Sequence, residues 1–199
     1  MAEDWTGNSR SAHAVLGART YAAEERETND YYATEPKAVT LLTEVEQFSP
    51  AIWECACGEG HISKELEKAG YRVYSTDLID RGYGAVRDFL KCPFLPFPFF
   101  DIVTNPPYSK AASFVDHAMD IIQPGHKVAM FLKLQFLEGK QRKALFQKWP
   151  PKVVYVSSSR LRCAMNGDFE KHRDASAVAY AWYIWEKGYA GEPVIRWIN

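Results

Sequence analysis

Asp101-Ile102-Val103-Thr104-Asn105-Pro106-Pro107-Tyr108 is the stretch from which the fold can be deduced. Its apolar start predicts a short buried strand. Proline lacks an N–H group and fixes φ, so the strand must end before Pro106. Asn105 is therefore expected at the carboxyl edge of a strand, where open α/β sheets bind ligands. Tyr108 places an aromatic ring beside the amide, a combination that suits a flat substrate carrying an amine.

A glycine turn precedes this stretch. Ala51–Ala56 predicts a buried strand and Ile62–Ala69 a helix, with Gly58 and Gly60 in the turn between them. Glycines let the backbone approach a ligand closely, and a helix N-terminus favours a carboxylate. The turn does not complete a dinucleotide fingerprint, because Ser63 occupies the place of the third glycine.

Acidic residues follow the next two predicted strands. Arg72–Thr76 is expected to be a strand that ends at Asp77, and Ala85–Leu90 a strand with Asp88 near its exit. A carboxylate at the position of Asp77 can accept hydrogen bonds from both ribose hydroxyls of a nucleoside. Its alternative role is to cap the following turn.

The remaining predicted elements are also helices and strands that follow one another in turn. Thr34 is expected to cap a helix over Lys37–Phe48, with Pro36 in its first turn. Downstream we predict helices over Ser109–Ile122 and Lys140–Trp149, loops over Leu134–Gly139 and Ser157–His172, and strands over Lys127–Leu132, Val153–Val156, Ala177–Glu186 and Val194–Ile198. This order predicts an α/β fold with a Rossmann-like sheet and an antiparallel C-terminal hairpin.

Asn105-Pro106-Pro107-Tyr108 matches the catalytic motif of the amino-methyltransferases, which use S-adenosylmethionine (SAM) to methylate adenine N6, cytosine N4 or a glutamine side chain. Over about Tyr31–Lys133 the chain resembles small phage-type DNA adenine-N6 methyltransferases of class I. The resemblance implies a mostly parallel seven-stranded sheet with helices on both faces. It implies SAM as the cofactor and no metal.

The same resemblance assigns the site residues. The catalytic group is Asn105, Pro106, Pro107 and Tyr108, in which the Asn105 amide oxygen and the Pro106 carbonyl accept the N–H groups of the acceptor amine while Tyr108 stacks on the base. The cofactor-binding residues implied are Tyr32, Thr34, Pro36, Glu54, Gly58, Gly60, Asp77, Asp88, Phe89 and Asn105.

Bulk properties exclude several classes of protein. The chain has 199 residues and a formal net charge of -1, so no global basic field draws it to nucleic acid. No apolar run is long enough to span a membrane, and no signal pattern is present. The four cysteines lack paired metal-binding spacing. We expect a partly disordered arm over residues 1–29, one methyltransferase domain over 30–199, and a cytoplasmic location in a prokaryotic or phage-infected cell.

Positive charge is concentrated late in the chain. Between Lys127 and Arg173 there are eleven Lys and Arg residues and three acids. The stretch is either a solvated surface or a local phosphate-contacting one. Arg160, Arg162 and Asn166 are the candidate substrate contacts.

The chain leaves little room for a separate target-recognition domain. Three alternatives follow. The specificity for the DNA sequence is loose and provided by loops, or a partner protein supplies it, or the substrate is not duplex DNA. A monomer and a homodimer are both compatible with the sequence, because a second copy would add DNA-contacting surface.

The function predicted is methylation of adenine N6 in DNA, or in RNA. The same motif serves protein glutamine N5-methylation, because a glutamine amide is also a flat, conjugated amine. Cytosine-N4 enzymes more often begin the motif with Ser. A nicotinamide-dependent oxidoreductase requires the full glycine fingerprint and leaves Asn105–Tyr108 unexplained. A non-catalytic nucleic-acid-binding relic would have no need of the intact motif.

Overall fold

Strands and helices alternate through most of the chain. The computed structural model describes residues 31–94, 100–165 and 178–199. Its strands are β1 (Tyr32–Thr34), β2 (Ala51–Glu54), β3 (Arg72–Asp77), β4 (Ala85–Val86), β5 (Asp101–Thr104), β6 (Lys127–Lys133), β7 (Val153–Ser157), β8 (Cys163–Met165), β9 (Tyr180–Glu186) and β10 (Val194–Ile198). Its α-helices are α1 (Pro36–Val45), α2 (His61–Lys68), α3 (Ala111–Ile121) and α4 (Lys140–Lys148). Single 3₁₀ turns cover Phe89–Lys91, Tyr108–Lys110 and Leu134–Leu137.

The main sheet has the order β10-β7-β9-β6-β5-β2-β3-β4. Strand β9 runs antiparallel to both β6 and β7, and the other neighbouring pairs are parallel. The pair β7/β9 is the predicted antiparallel C-terminal hairpin. The sheet has eight strands rather than the predicted seven, because β10 pairs in parallel with the outer edge of β7 and satisfies backbone groups that would otherwise be exposed there.

The strand order reverses between β2 and β5. These two strands are neighbours, with Ile52 opposite Asp101 and Trp53 opposite Ile102. From β2 the chain proceeds outward to β3 and β4, and from β5 it proceeds the other way to β6. The turns that follow β2 and β5 therefore lie side by side at a topological switch point, the usual ligand site of such sheets.

Both faces of the sheet are covered, as predicted. One apolar cluster contains Phe114 and Val115 of α3, with Leu145 and Phe146 of α4 packed against it. The opposite cluster contains Val39 and Leu42 of α1 and Ile62 and Leu66 of α2. The central strands contribute alternate residues to the two clusters, which is why they are apolar throughout.

Two predicted elements differ near the site. The third predicted strand is only two residues long, because the Asp88 carboxylate accepts from the Leu90 N–H group and starts a 3₁₀ turn. Thr34 does not cap α1: Glu35 precedes the helix and no side chain caps it. Thr34 instead belongs to β1, where its hydroxyl oxygen accepts a hydrogen bond from the Asn105 side chain.

The predicted loop after β7 contains a strand. Cys163–Met165 forms β8, which pairs antiparallel with β1 in a separate two-stranded sheet. Sequence periodicity did not indicate this pair, because three-residue strands carry too few positions to show a pattern. The predicted N-terminal arm and residues 166–172 of the predicted loop lie outside the described residues.

Within the described ranges, no helix combines the length and the apolar composition needed to cross a bilayer.

Candidate active site

A cavity of about 210 Å³ lies at the carboxyl edge of the sheet, beside the turns that follow β2 and β5. Most of the predicted cofactor-binding residues line it, namely Tyr32, Thr34, Glu54, Asp77, Asp88, Phe89 and Asn105. Pro36, Gly58 and Gly60 do not line it: Pro36 lies exposed in the first turn of α1, and the two glycines shape the adjacent turn.

The glycine turn is covered by an aromatic ring. Gly58 has φ +53°, and a Cβ atom added there would clash with Cε2 of Tyr31. The Tyr31 hydroxyl accepts from the Glu59 N–H group at 3.3 Å, and the Arg81 guanidinium lies 4.3 Å from the Tyr31 ring centroid. Glycine is thus favoured at position 58 by backbone conformation, and the Tyr31 ring would have to move to admit a side chain there.

Tyr31 and Arg81 were not predicted as site residues, although both line the cavity. Their contact joins segments fifty residues apart, which sequence spacing cannot reveal. Burial raises the pKa of Tyr31 to about 12, so its hydroxyl is neutral at physiological pH. The cavity lining therefore carries the Arg81 guanidinium beside the neutral phenol of Tyr31.

The carboxylate of Asp77 connects the end of β3 to the glycine turn. Its Oδ2 accepts from the Gly58 N–H group at 2.8 Å, and its Oδ1 accepts from the Ile79 N–H group at 3.0 Å. A carboxylate has about four acceptor positions. Asp77 therefore retains acceptor capacity for a ligand while the turn holds it in place.

Glu54, at the end of β2, is a buried acid at the wall of the cavity, 1% exposed. The Ser63 hydroxyl of α2 donates to its Oε2 and also lies 2.6 Å from the Ser75 hydroxyl oxygen. Burial raises the pKa of Glu54 well above its ordinary range, and the Ser63 hydrogen bond opposes that shift. The group is thus biased toward its neutral form in this structure.

Phe89 serves the core as well as the cavity. It is 2% exposed, and its ring centroid lies 5.2 Å from that of Trp53 and 4.9 Å from that of Phe114. The preceding residue, Asp88, accepts from Leu90 N at 3.1 Å and lies 3.1 Å from Lys91 Nζ. The acid and the ring are therefore fixed by local packing.

The amide of Asn105 is oriented by β1. Its Nδ2 donates to the Tyr32 carbonyl oxygen at 2.8 Å and to the Thr34 hydroxyl oxygen at 3.0 Å. A carbonyl oxygen can only accept, so the contact with Tyr32 fixes which end of the amide is nitrogen. The other end, Oδ1, is buried and has no hydrogen-bond partner among the described residues. An unsatisfied buried acceptor costs about 1–3 kcal/mol, which a donor from a bound substrate would recover.

Tyr108 lies behind the cavity rather than in its lining. Its hydroxyl donates to Cys163 Sγ at 3.1 Å. The ring centroid lies 5.5 Å from that of Tyr32 and 5.8 Å from that of Tyr180, and Lys133 Nζ lies 4.7 Å from it. Tyr108 thus belongs to an aromatic cluster, and its stacking on a base stays a prediction. Of the two prolines, Pro107 lines the cavity and Pro106 is buried.

Two of the three candidate substrate residues lie within the described ranges, and their environments differ. Arg160 is exposed. Arg162 is engaged with Glu35: its backbone N–H donates to Oε1 at 2.7 Å and its Nε to Oε2 at 3.3 Å. Asn166 lies outside the described residues.

Several cations of the late basic stretch have acidic partners. Lys127, Lys148 and Lys152 bind Glu46, Asp116 and Glu186 at 2.5, 2.7 and 2.6 Å. On α4, Lys140 and Lys143 are exposed. The stretch is therefore partly structural, and charge counting alone overstates the basic surface left for a partner.

In the three described ranges, no group of three or more His, Cys, Asp or Glu side chains is arranged to hold a metal ion.

Comparison with known proteins shows that this chain is similar to solved structures in fold, whereas the comparisons of its sequence with family models and curated proteins found no match. A solved structure from Listeria monocytogenes, described as a class I SAM-dependent methyltransferase, superposes with a TM-score of 0.59 at 12% identity, covering 94% of this chain and 71% of that one.

Two further solved structures are similar. A protein from Agrobacterium tumefaciens described as an O-methyltransferase has a TM-score of 0.55 at 13% identity, over 80% of this chain and 85% of that one. A protein from Vibrio vulnificus described as a modification subunit of a type I restriction enzyme has a TM-score of 0.54 at 12% identity, over 94% of this chain and 50% of that one. Such likeness at low identity concerns the fold, and the fold of this chain is that of the class I methyltransferases.

Proposed function

We propose that the protein is a SAM-dependent methyltransferase that transfers a methyl group to the N6 amine of adenine in DNA. The observation that carries the proposal is the orientation of Asn105. Its amide nitrogen is occupied by β1, and its oxygen, which no described residue contacts as a hydrogen-bond partner, is an acceptor beside a cavity with acids and an aromatic ring.

The residues of the cavity fit SAM. Asp77 retains acceptor positions for the ribose hydroxyls, and Asp88 and Phe89 offer an acceptor and a ring for the adenine. Arg81 and Lys110 line the same cavity and supply positive charge for the amino-acid carboxylate. When bound, SAM supplies an electrophilic methyl group on a sulfonium.

The acceptor amine needs help that Asn105 and Pro106 can give. The lone pair of an adenine amine is conjugated with its ring, so the amine is a poor nucleophile. Two acceptors, Asn105 Oδ1 and the Pro106 carbonyl, would favour a pyramidal nitrogen and the positive charge that develops on it. Asn105 is neutral, so it orients the amine rather than taking its proton.

Exposed cations support a nucleic acid as the substrate. Lys37 reaches the loop after β7 through the Ser159 hydroxyl at 3.1 Å, and Lys140 and Lys143 are exposed on α4. The likeness to a restriction modification subunit adds an analogy of fold only. A duplex adenine would have to be flipped out of the helix to reach the cavity.

The test is transfer of labelled methyl from SAM to unmethylated DNA, followed by nuclease digestion to identify the base. Wild type is compared with Asn105→Ala and with Gln123→Ala. Gln123 is an exposed amide before β6, at the opposite edge of the sheet, and serves as the matched control. We expect N6-methyladenine from wild type and Gln123→Ala, and a loss of at least about 100-fold in Asn105→Ala.

Other outcomes would redirect the assignment. Transfer to cytosine would change the target base, and transfer to RNA or single strands alone would change the nucleic acid. Intact SAM binding without transfer to any nucleic acid would contradict the proposed substrate and direct the search to a protein glutamine. Absence of SAM binding would contradict the proposed activity as a whole.

A further inference from the structure

The two-stranded sheet β1/β8 contacts two side chains of the proposed catalytic motif, those of Asn105 and Tyr108. We propose that this sheet is a frame that positions Asn105 and Tyr108, with Thr34 and Cys163 as its positioning residues. The inference rests on the proposed function, because it concerns the geometry of the same motif. Thr34 and Cys163 are directly opposite each other in the β1/β8 ladder.

The frame determines the orientation of the Asn105 amide. Nδ2 has two hydrogens, and β1 offers two oxygens: the Tyr32 carbonyl at 2.8 Å and the Thr34 hydroxyl at 3.0 Å. Rotating the amide by half a turn would place Oδ1 against the Tyr32 carbonyl, where two acceptors repel each other. The carbonyl thus selects the orientation, and the Thr34 hydroxyl fixes the second hydrogen. Thr34 is 1% exposed, so water cannot easily replace it.

Cys163, on the opposite strand β8, contacts Asn105 and Tyr108 of the motif. Its Sγ accepts from the Tyr108 hydroxyl at 3.1 Å and lies 3.8 Å from Asn105 Nδ2. Burial raises the pKa of the thiol to about 12, so the sulfur stays neutral and a weak acceptor. Cys163 does not line the cavity. We therefore expect it to position Asn105 and Tyr108 without contacting the cofactor.

An ion pair closes the outer end of the frame. Glu35 follows Thr34, and Arg162 precedes Cys163. The Glu35 N–H donates to the Arg162 carbonyl at 3.3 Å, and the Arg162 N–H and Nε donate back to the Glu35 carboxylate. These bonds hold β8, and with it the loop after β7, against the segment that orients Asn105. Arg162 is thereby assigned to the frame.

The first test compares Thr34→Val, which removes the hydroxyl at similar size, with Thr34→Ser, which keeps it. We expect kcat for methyl transfer to fall about tenfold in Thr34→Val, the equivalent of about one hydrogen bond, and about threefold at most in Thr34→Ser. SAM affinity, measured by calorimetry, should stay within about twofold in both. Thr43→Val is the control, because the Thr43 hydroxyl donates to the Thr40 carbonyl within α1. Cys163→Ala is a second, independent variant with the same expected split between kcat and SAM affinity.

The second test needs no substrate. The Asn105 side-chain N–H signals are assigned in an NMR spectrum by their loss in Asn105→Asp. Their exchange with solvent should be slow in wild type and Thr34→Ser, and at least about tenfold faster in Thr34→Val.

The outcomes separate the two proposals. Unchanged exchange and unchanged kcat in Thr34→Val would overturn the frame, as would a loss of SAM affinity without a loss of kcat, since Thr34 would then be a cofactor contact. Faster exchange in Thr34→Val combined with an inactive wild type would support the frame and contradict the proposed function.

Discussion

The backbone N–H of Gly58 donates to the Asp77 carboxylate at 2.8 Å, so this bond, together with the one from the Cys57 N–H to the Thr76 carbonyl at 2.9 Å, joins the turn after β2 to the end of β3. The bond keeps Asp77 beside the cavity and leaves part of its acceptor capacity unused. Removing the carboxylate would affect both the turn and any nucleoside bound there.

Asp77→Ala is expected to weaken SAM binding about tenfold or more, because the ribose loses a charged acceptor. Calorimetric titration with SAM measures the change. Asp80→Ala is the control, since Asp80 is exposed and its carboxylate accepts from the Gly82 N–H in the turn after β3. Equal SAM affinity in Asp77→Ala and wild type would exclude Asp77 as a cofactor contact.

Gly58→Ala should destabilise the fold more than Gly70→Ala. Both glycines have positive φ, +53° and +93°, but a Cβ on Gly58 would collide with Tyr31, whereas nothing lies within 4 Å of a Cβ on Gly70. Each replacement incurs about 1–2 kcal/mol of backbone strain, and only Gly58→Ala adds the clash. Urea unfolding measures both free energies.

A Tyr31→Ala background isolates that clash. There the excess cost of Gly58→Ala over Gly70→Ala should disappear, as in a double-mutant cycle. An excess that persists without the Tyr31 ring would mean that some other contact covers the turn.

Glu54 should make stability depend on pH. Its pKa is raised well above the ordinary value of 4.5, chiefly by burial. Below 4.5 the carboxyl is protonated in both the folded and unfolded states. As pH rises from there through the folded-state pKa, the unfolded state loses its proton first, and stability falls by up to about 1.4 kcal/mol per pH unit.

Glu54→Gln should remove that dependence. The free energy of unfolding of the variant, relative to wild type, is expected to increase as pH rises above 4.5, and urea unfolding at several pH values tests it. A difference between the two proteins that stays constant with pH would show that Glu54 has the same pKa folded and unfolded.

Two substitutions of Phe89 should distinguish its role in core packing from its role in ligand binding. Phe89→Ala is expected to cost about 3–5 kcal/mol of stability, because the ring packs between Trp53 and Phe114. Phe89→Leu retains most of the apolar volume and should cost about 1.5 kcal/mol or less. If the ring also packs on the adenine of SAM, Phe89→Leu will still weaken SAM binding severalfold. Calorimetric titration of the folded variant with SAM measures this change in affinity.

Much of the site could be predicted from local sequence. The prolines end β5 before Asn105 by their own chemistry, and strands β2, β3 and β5 each have a turn or a polar residue at the carboxyl end. Parallel neighbours bring those ends to one edge. The gathering of Glu54, Asp77, Asp88 and Asn105 around one cavity follows from these local facts and the strand order.

Other features depended on contacts distant in sequence. Tyr31 covers Gly58 from 27 positions away, and Thr34 and Cys163 reach Asn105 from 71 and 58 positions away. No periodicity in the chain encodes such pairs.

The sequence by itself determined where β3 and β5 end and which functional groups stand there, because turn-forming residues and prolines act on their own backbone. Tertiary structure alone decided how those groups are oriented. An amide can present either end, and only the Tyr32 carbonyl and the Thr34 hydroxyl, brought in by β1, require the nitrogen of Asn105 to face inward and leave its oxygen as the acceptor.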